Sequence, residues 1–152
     1  MKPMIPRRLI LAGAVALGAA ATFVAFQPSP VAAREAVVYK NPQCGCCKGW
    51  ATYLQRNGYK VTVIDVDNME DLKRRLQVPD SLHSCHTAKI DGYVVEGHVP
   101  VEAIDKLLTK RPSFTGIASP GMPSGSPGMD GPKEDNVVKA FGPGGIRVFG
   151  IY

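Results

Sequence analysis

The chain has 152 residues, 45% hydrophobic and 20% charged, with a formal net charge of +5. That is enough for one modest domain, too short for two, and too apolar for a wholly disordered chain. Its lysines and arginines form no patch or stripe that calls for nucleic acid.

Residues 1–33 read as a secretory signal peptide. Lys2, Arg7 and Arg8 precede an apolar, small-residue run over residues 9–26, and Val31-Ala32-Ala33 supplies a small-residue cleavage site. An uncleaved anchor is the alternative, because the run approaches the length of a bilayer span. Arg7-Arg8 followed by Leu9-Ile10-Leu11 also hints at twin-arginine export. Cleavage after Ala33 removes three basic residues and no acidic one, so much of the positive charge belongs to the leader. The mature chain is then expected in the periplasm, free of the membrane.

Residues 36–40 predict a short buried strand, and Asn41-Pro42-Gln43 a turn leading into Cys44-Gly45-Cys46-Cys47. A helix continues through Gly49 to Leu54 and stops at Asn57-Gly58. Residues 60–66 read as a second strand. Asn68 caps a second helix with Glu70 and Asp71 in its first turn and Lys73, Arg74 and Arg75 later, an order that suits the helix dipole. Its apolar face is expected to be Met69, Leu72 and Leu76. After a loop over residues 78–84, strands at 87–90 and 93–95 are joined by Asp91-Gly92, a strong hairpin signal. Pro100 opens a last helix, with Val101, Ile104, Leu107 and Leu108 on one face and Lys110-Arg111-Pro112 at its end.

The order strand, helix, strand, helix, strand, strand, helix predicts an α/β, thioredoxin-like core over residues 34–112. Residues 113–152 form a C-terminal extension, expected to belong to the same domain. Its Pro120-Gly121-Met122-Pro123 and Ser126-Pro127-Gly128-Met129 form a near-repeat, whose composition alone favours a disordered tail. Residues 137–141 and 146–149, around Gly142-Pro143-Gly144-Gly145, predict a second hairpin.

The chemistry gathers at the cysteines. Cys44 and Cys47 have C-x-x-C spacing between a strand and a helix start, where free N–H groups and the helix dipole stabilise a thiolate. Cys46 adds a thiol that a plain redox motif lacks. Neighbours on a first helical turn project about 100° apart, so Cys46 and Cys47 suit separate or bridging metal positions better than one closed site. A thioredoxin-like core brings the start of its third strand beside the end of its first, and Ser84-Cys85-His86-Thr87 falls there. Thioredoxins usually carry a proline at that place, where this chain has Cys85 and His86.

Cys44, Cys46, Cys47 and Cys85 are therefore candidate metal ligands, with His86, His98, Met122 and Met129 as helpers. Thiolate and thioether sulfur with imidazole select Cu(I) over hard ions. Two alternatives stay open: a simple Cys44–Cys47 disulfide in a thiol–disulfide oxidoreductase, and structural zinc, although zinc ligands usually come as two separated pairs. His83 reads as a plain loop residue and Trp50 as core.

Tyr39-Lys40-Asn41-Pro42-Gln43-Cys44-Gly45-Cys46-Cys47-Lys48-Gly49-Trp50 resembles the opening of the family long called domain of unknown function 411, which contains CopG-like periplasmic copper-resistance proteins. Residues 84–88, 92–100 and 120–129 resemble further blocks of that family, in the same order. The resemblance implies a thioredoxin-like fold, thiolate-bound copper in a multinuclear Cu(I) cluster, and Cu(I)/Cu(II) interconversion. Copper ions are the implied partner, with copper efflux or multicopper oxidase proteins beside them.

Overall fold

Alternation of buried Ala36, Val38 and Lys40 along Glu35–Lys40 gives the first strand, β1, in a computed structural model that describes residues 33–152. The export signal read in residues 1–33 therefore lies, but for Ala33, outside the described residues. Helix α1 (Gly45–Arg56) buries Cys47, Trp50, Ala51 and Leu54, a stripe at helical spacing. Strand β2 (Lys60–Asp65) is a largely exposed edge. Helix α2 (Met69–Arg75) starts where the Asn68 side chain accepts from the Asp71 N–H, as the cap predicts.

Strands β3 (His86–Ile90) and β4 (Tyr93–Gly97) are paired antiparallel. Asp91 and Gly92 between them both take positive φ, the backbone a tight hairpin of this hand requires. Helix α3 (Val101–Lys110) buries Val101, Ala103, Ile104, Leu107 and Leu108. Fully burying a large aliphatic side chain contributes about 1.5–3 kcal/mol each, so this face alone anchors the helix. The thioredoxin-like element order holds through α3.

Three features depart from the expectation. The first is β5 (Gly116–Ser119), a fully buried strand that pairs parallel with β4. It carries β6 (Val137–Phe141) and β7 (Arg147–Ile151), the expected second hairpin, onto one seven-stranded sheet ordered β2-β1-β3-β4-β5-β6-β7. The second lies in α2. Met69, Leu72 and Leu76 are only half-buried, and the buried residue is Lys73. Lys73 stands one turn after Met69, so it shares the inward face, and its charge is met by a partner inside.

The third is the loop between β5 and β6, which is ordered by its own turns, not left as a tail. Ser126 N–H donates to the Pro123 carbonyl at 3.1 Å, Met129 N–H to Ser126 at 2.9 Å, and Glu134 N–H to Ser124 at 3.1 Å. It then lies backbone to backbone on α1. A Cβ on Gly49 would stand 2.5 Å from the Gly128 carbonyl oxygen, and one on Gly128 would stand 2.3 Å from the Trp50 nitrogen. Only glycines allow that approach.

Candidate metal centre

β1 runs antiparallel to β3 with Lys40 opposite His86, so the end of one strand meets the start of the other. The chain leaves Lys40 through a turn in which Cys44 N–H donates to the Asn41 carbonyl at 3.0 Å and Gln43 N–H to Asn41 Oδ1 at 3.0 Å. The buried Lys40 ammonium ties that turn down, donating to the Asn41 and Pro42 carbonyls and to Asp65 on β2. Cys44 then sits at the N-cap of α1, with Cys46 and Cys47 in its first turn.

Cys44 and Cys47 are joined as a disulfide, while Cys46 and Cys85 are free. Cys46 Sγ lies 3.6 Å from Cys44 Sγ and 3.7 Å from Cys85 Sγ. All four sulfurs fall within 4.8 Å of one another, as do Cys85 Sγ and one ring nitrogen each of His86 and His98. Cys85 is thus common to both groups.

The two imidazoles differ. His98 Nδ1 is 2.8 Å from the Pro127 carbonyl, which can only accept, so Nδ1 carries the proton. Its bare Nε2 then faces Cys85 Sγ at 3.1 Å. Ligand histidines are commonly oriented in this way, by a second hydrogen bond from the far ring nitrogen. His86 is fully buried against Trp50, with ring centroids 4.5 Å apart, and against the edge of His98 at 4.9 Å. Its Nδ1 is 3.5 Å from Cys85 Sγ, and its Nε2 has no hydrogen-bond partner.

Burial dominates the electrostatics. Desolvation first, and the neighbouring Cys46 second, push the Cys85 thiol up to about 12. Burial holds His86 well below its usual value, helped by His98 and Lys73, and it also lowers His98. The pocket therefore stores neutral thiol and neutral imidazole, and an ion that enters must displace protons. A bare imidazole nitrogen, an orphaned ring nitrogen and, once the Cys44–Cys47 disulfide is reduced, four neighbouring thiols are a donor set that fits a soft metal ion.

Of the other candidates, Met122 is 46% exposed and lines a shallow cleft with His83, Ser84 and Cys85. Met129 is half-buried and follows Gly128 on the loop packed against α1. His83 turns away, with Nδ1 3.0 Å from Glu70 and Nε2 3.2 Å from the Val78 carbonyl.

Sequence reasoning missed the scaffold behind Cys85 and His86. The fully buried Glu96 takes Lys73 Nζ at 2.5 Å and the Ser84 N–H at 2.6 Å on Oε1, and the Thr87 hydroxyl at 2.6 Å on Oε2. One carboxylate thus holds both flanks of the Cys85-His86 pair. Asn136 does the same for His98, donating to its carbonyl at 3.0 Å while accepting from Ser119. The sequence signal for the first was Lys73 on the inward face of α2, paired with Glu96 in an otherwise apolar strand.

Comparison with known proteins agrees with this architecture. The family model described as "Protein of unknown function, DUF411" matches residues 82–129, and that of glutaredoxin matches residues 36–78. No curated protein matches the chain. Two solved structures do. "Copper resistance protein copG- Form 2" is 42% identical over 79% of this chain and 98% of its own, with a TM-score of 0.74. "Copper resistance protein copG- Form 1" is 43% identical over 78% and 96%, with a TM-score of 0.73. The chain belongs to the DUF411 family, together with these CopG copper resistance proteins.

Proposed function

We propose that this is a periplasmic copper-binding protein for copper tolerance, exported by a leader removed after Ala33. Its cargo is Cu(I), held by Cys44, Cys46, Cys47 and Cys85, with His86, His98, Met122 and Met129 completing the set. The observation that carries the reading is the gathering of four sulfurs within 4.8 Å from two distant segments, in a relative of copper resistance proteins.

The chain's own residues supply each part of the binding step. The first turn of α1 offers free N–H groups to thiolates formed at Cys44 and Cys46. Cys85 gives up its proton on binding, and the Pro127 carbonyl keeps the His98 lone pair aimed inward. Trp50, fully buried, packs its ring against that of His86. Copper bound here could cycle between Cu(I) and Cu(II), and copper efflux or multicopper oxidase proteins would exchange it.

Reduced mature protein, loaded with Cu(I) without oxygen, should carry more than one copper per chain by mass spectrometry and inductively coupled plasma analysis. Recovery with zinc alone, or with no metal, would overturn the proposal.

A thiol–disulfide oxidoreductase is the second reading, favoured by the Cys44–Cys47 disulfide and the glutaredoxin match. Copper-free protein that reduces insulin at thioredoxin-like rates would establish it. Weak turnover is expected, because His86 stands before Thr87 where thioredoxins usually carry a proline.

A further inference from the structure

A cleft of about 480 Å³ lies where the start of α3 meets the β5–β6 loop and the segment after β7. That volume is within the range of small-molecule sites, about 300–1,000 Å³. Tyr53, Tyr152, Pro100 and Pro127 supply its apolar walls. Among the described residues, no cysteine or histidine lines it, so it is separate from the metal centre.

Two observations distinguish it from a packing gap. The first is unspent hydrogen-bonding capacity. Ser126 is only 4% exposed, and neither its Oγ nor the Tyr152 hydroxyl has a partner. Buried hydroxyls are ordinarily paired, so two orphans at one cleft call for an explanation. Pro127 and Asn136, on the same wall, already have their polar atoms engaged with His98 and Ser119. The second observation is charge. Among the described residues at the cleft, Glu102 and Glu134 set two carboxylates against the one ammonium of Lys133. Glu134 is held in place by Ser124. Its N–H donates to the Ser124 carbonyl at 3.1 Å, and its Oε2 accepts from the Ser124 N–H at 3.1 Å.

We propose that this cleft binds a small organic cation, with an apolar body against Tyr53 and Tyr152 and an ammonium directed to Glu102 and Glu134. The faces of tyrosine rings attract cations. The molecule already uses that attraction nearby, where Lys106 Nζ stands 4.5 Å from the Phe149 centroid and 6.0 Å from that of Tyr152. A primary ammonium brings three N–H donors, enough for both carboxylates and the Ser126 oxygen. A carboxylate ligand of the same shape would meet like charge instead. The site goes beyond the copper reading and stands or falls without it.

The test titrates metal-free mature protein with three probes that share one body, followed by amide NMR shifts. They are 2-phenylethylamine as its ammonium, neutral 2-phenylethanol, and phenylacetate. The ammonium should bind most tightly and phenylacetate least, with saturable shifts centred on Tyr53, Ser126 and Tyr152. Glu102→Gln/Glu134→Gln should weaken the ammonium about three- to tenfold, and Lys133→Met should tighten it about two- to threefold. Asp67→Asn, an exposed carboxylate away from the cleft, should change nothing. Glutamine keeps an acceptor for the Ser124 N–H, and thermal unfolding verifies that each variant folds.

Phenylacetate binding as tightly as the ammonium would overturn the proposal, as would the absence of saturable shifts at the cleft. So would an ammonium affinity indifferent to the double variant, or reduced equally by Asp67→Asn. If the double variant does not fold, the order of the three probes on the wild type still decides.

Discussion

Cys46 and Cys85, 39 residues apart in the chain, hold their sulfurs 3.7 Å from each other. Neither local spacing nor a shared element links them. The link is the register that sets Lys40 of β1 opposite His86 of β3. If both belong to one copper site, Cys85→Ser should cost Cu(I) as heavily as Cys46→Ser. Supporting groups around a metal typically cost about ten- to a hundred-fold in affinity, and a direct ligand should cost no less. Competition with a Cu(I) chelator measures this, with His83→Ala as the silent control. Wild-type copper in Cys85→Ser would break the assignment.

Gly128 and Gly121 both take positive φ, at 81° and 80°, but only Gly128 is packed against α1. Gly121→Ala should therefore cost only the conformational term, about 1–2 kcal/mol. Gly128→Ala adds a Cβ 2.3 Å from the Trp50 nitrogen and should cost clearly more. It should also weaken copper binding, because Pro127 would no longer orient His98. Equal stability losses from the two variants in urea would show that the loop does not lean on the helix.

The buried Lys73–Glu96 pair predicts strong coupling. Glu96→Gln leaves an unpaired ammonium in the core and should cost about 3–5 kcal/mol, as should Lys73→Met for the opposite charge. The double variant should cost less than the sum, because it buries no uncompensated charge. Urea denaturation of the reduced, metal-free proteins gives all three values, and strict additivity would contradict the pairing.

Acid should destabilise the metal-free protein before its carboxylates titrate. His86 is held neutral in the fold, below its usual 6.5. The unfolded chain therefore binds the extra proton as pH falls through that value, at about 1.4 kcal/mol of lost stability per pH unit. Cys85 acts at the other end. Its thiol is raised to about 12, so stability should fall as pH rises above 9, where the unfolded thiol ionises and the folded one does not. Stability curves from pH 5 to 11 should show both shoulders, with the acid one reduced in His86→Gln.

Export predicts an N-terminus at or near Arg34 for protein recovered from a native host. Intact Met1 in the membrane fraction would favour an anchor.

Most of the frame was legible because it rests on strong local signals. Asn68 caps α2, Asp91-Gly92 turns the β3–β4 hairpin, and the element order alone implied that Cys85 approaches the cluster. β5 was not legible. Gly116-Ile117-Ala118-Ser119 is too short for alternation to register, and its strand character comes from neighbours on both sides. Lys73 misled because a cation late in a helix ordinarily faces water near the dipole's negative end, whereas here Glu96 draws it inside. The Pro/Gly/Met segment reads as a tail by composition, and its own turns, the Gly49–Gly128 approach and the His98–Pro127 hydrogen bond fix it in place. No sequence pattern announces that the Pro127 carbonyl chooses the His98 tautomer.

That last hydrogen bond has a consequence for the order in which the molecule is assembled. Pro127 and Asn136 brace His98 from near the C-terminus, and both follow every cysteine and histidine in the chain. A polypeptide emerging N-terminus first exposes its thiols before it owns the brace that aims its imidazole. During that interval the His98 ring lacks the hydrogen bond that fixes its tautomer, and it gains that bond only when the later segment docks.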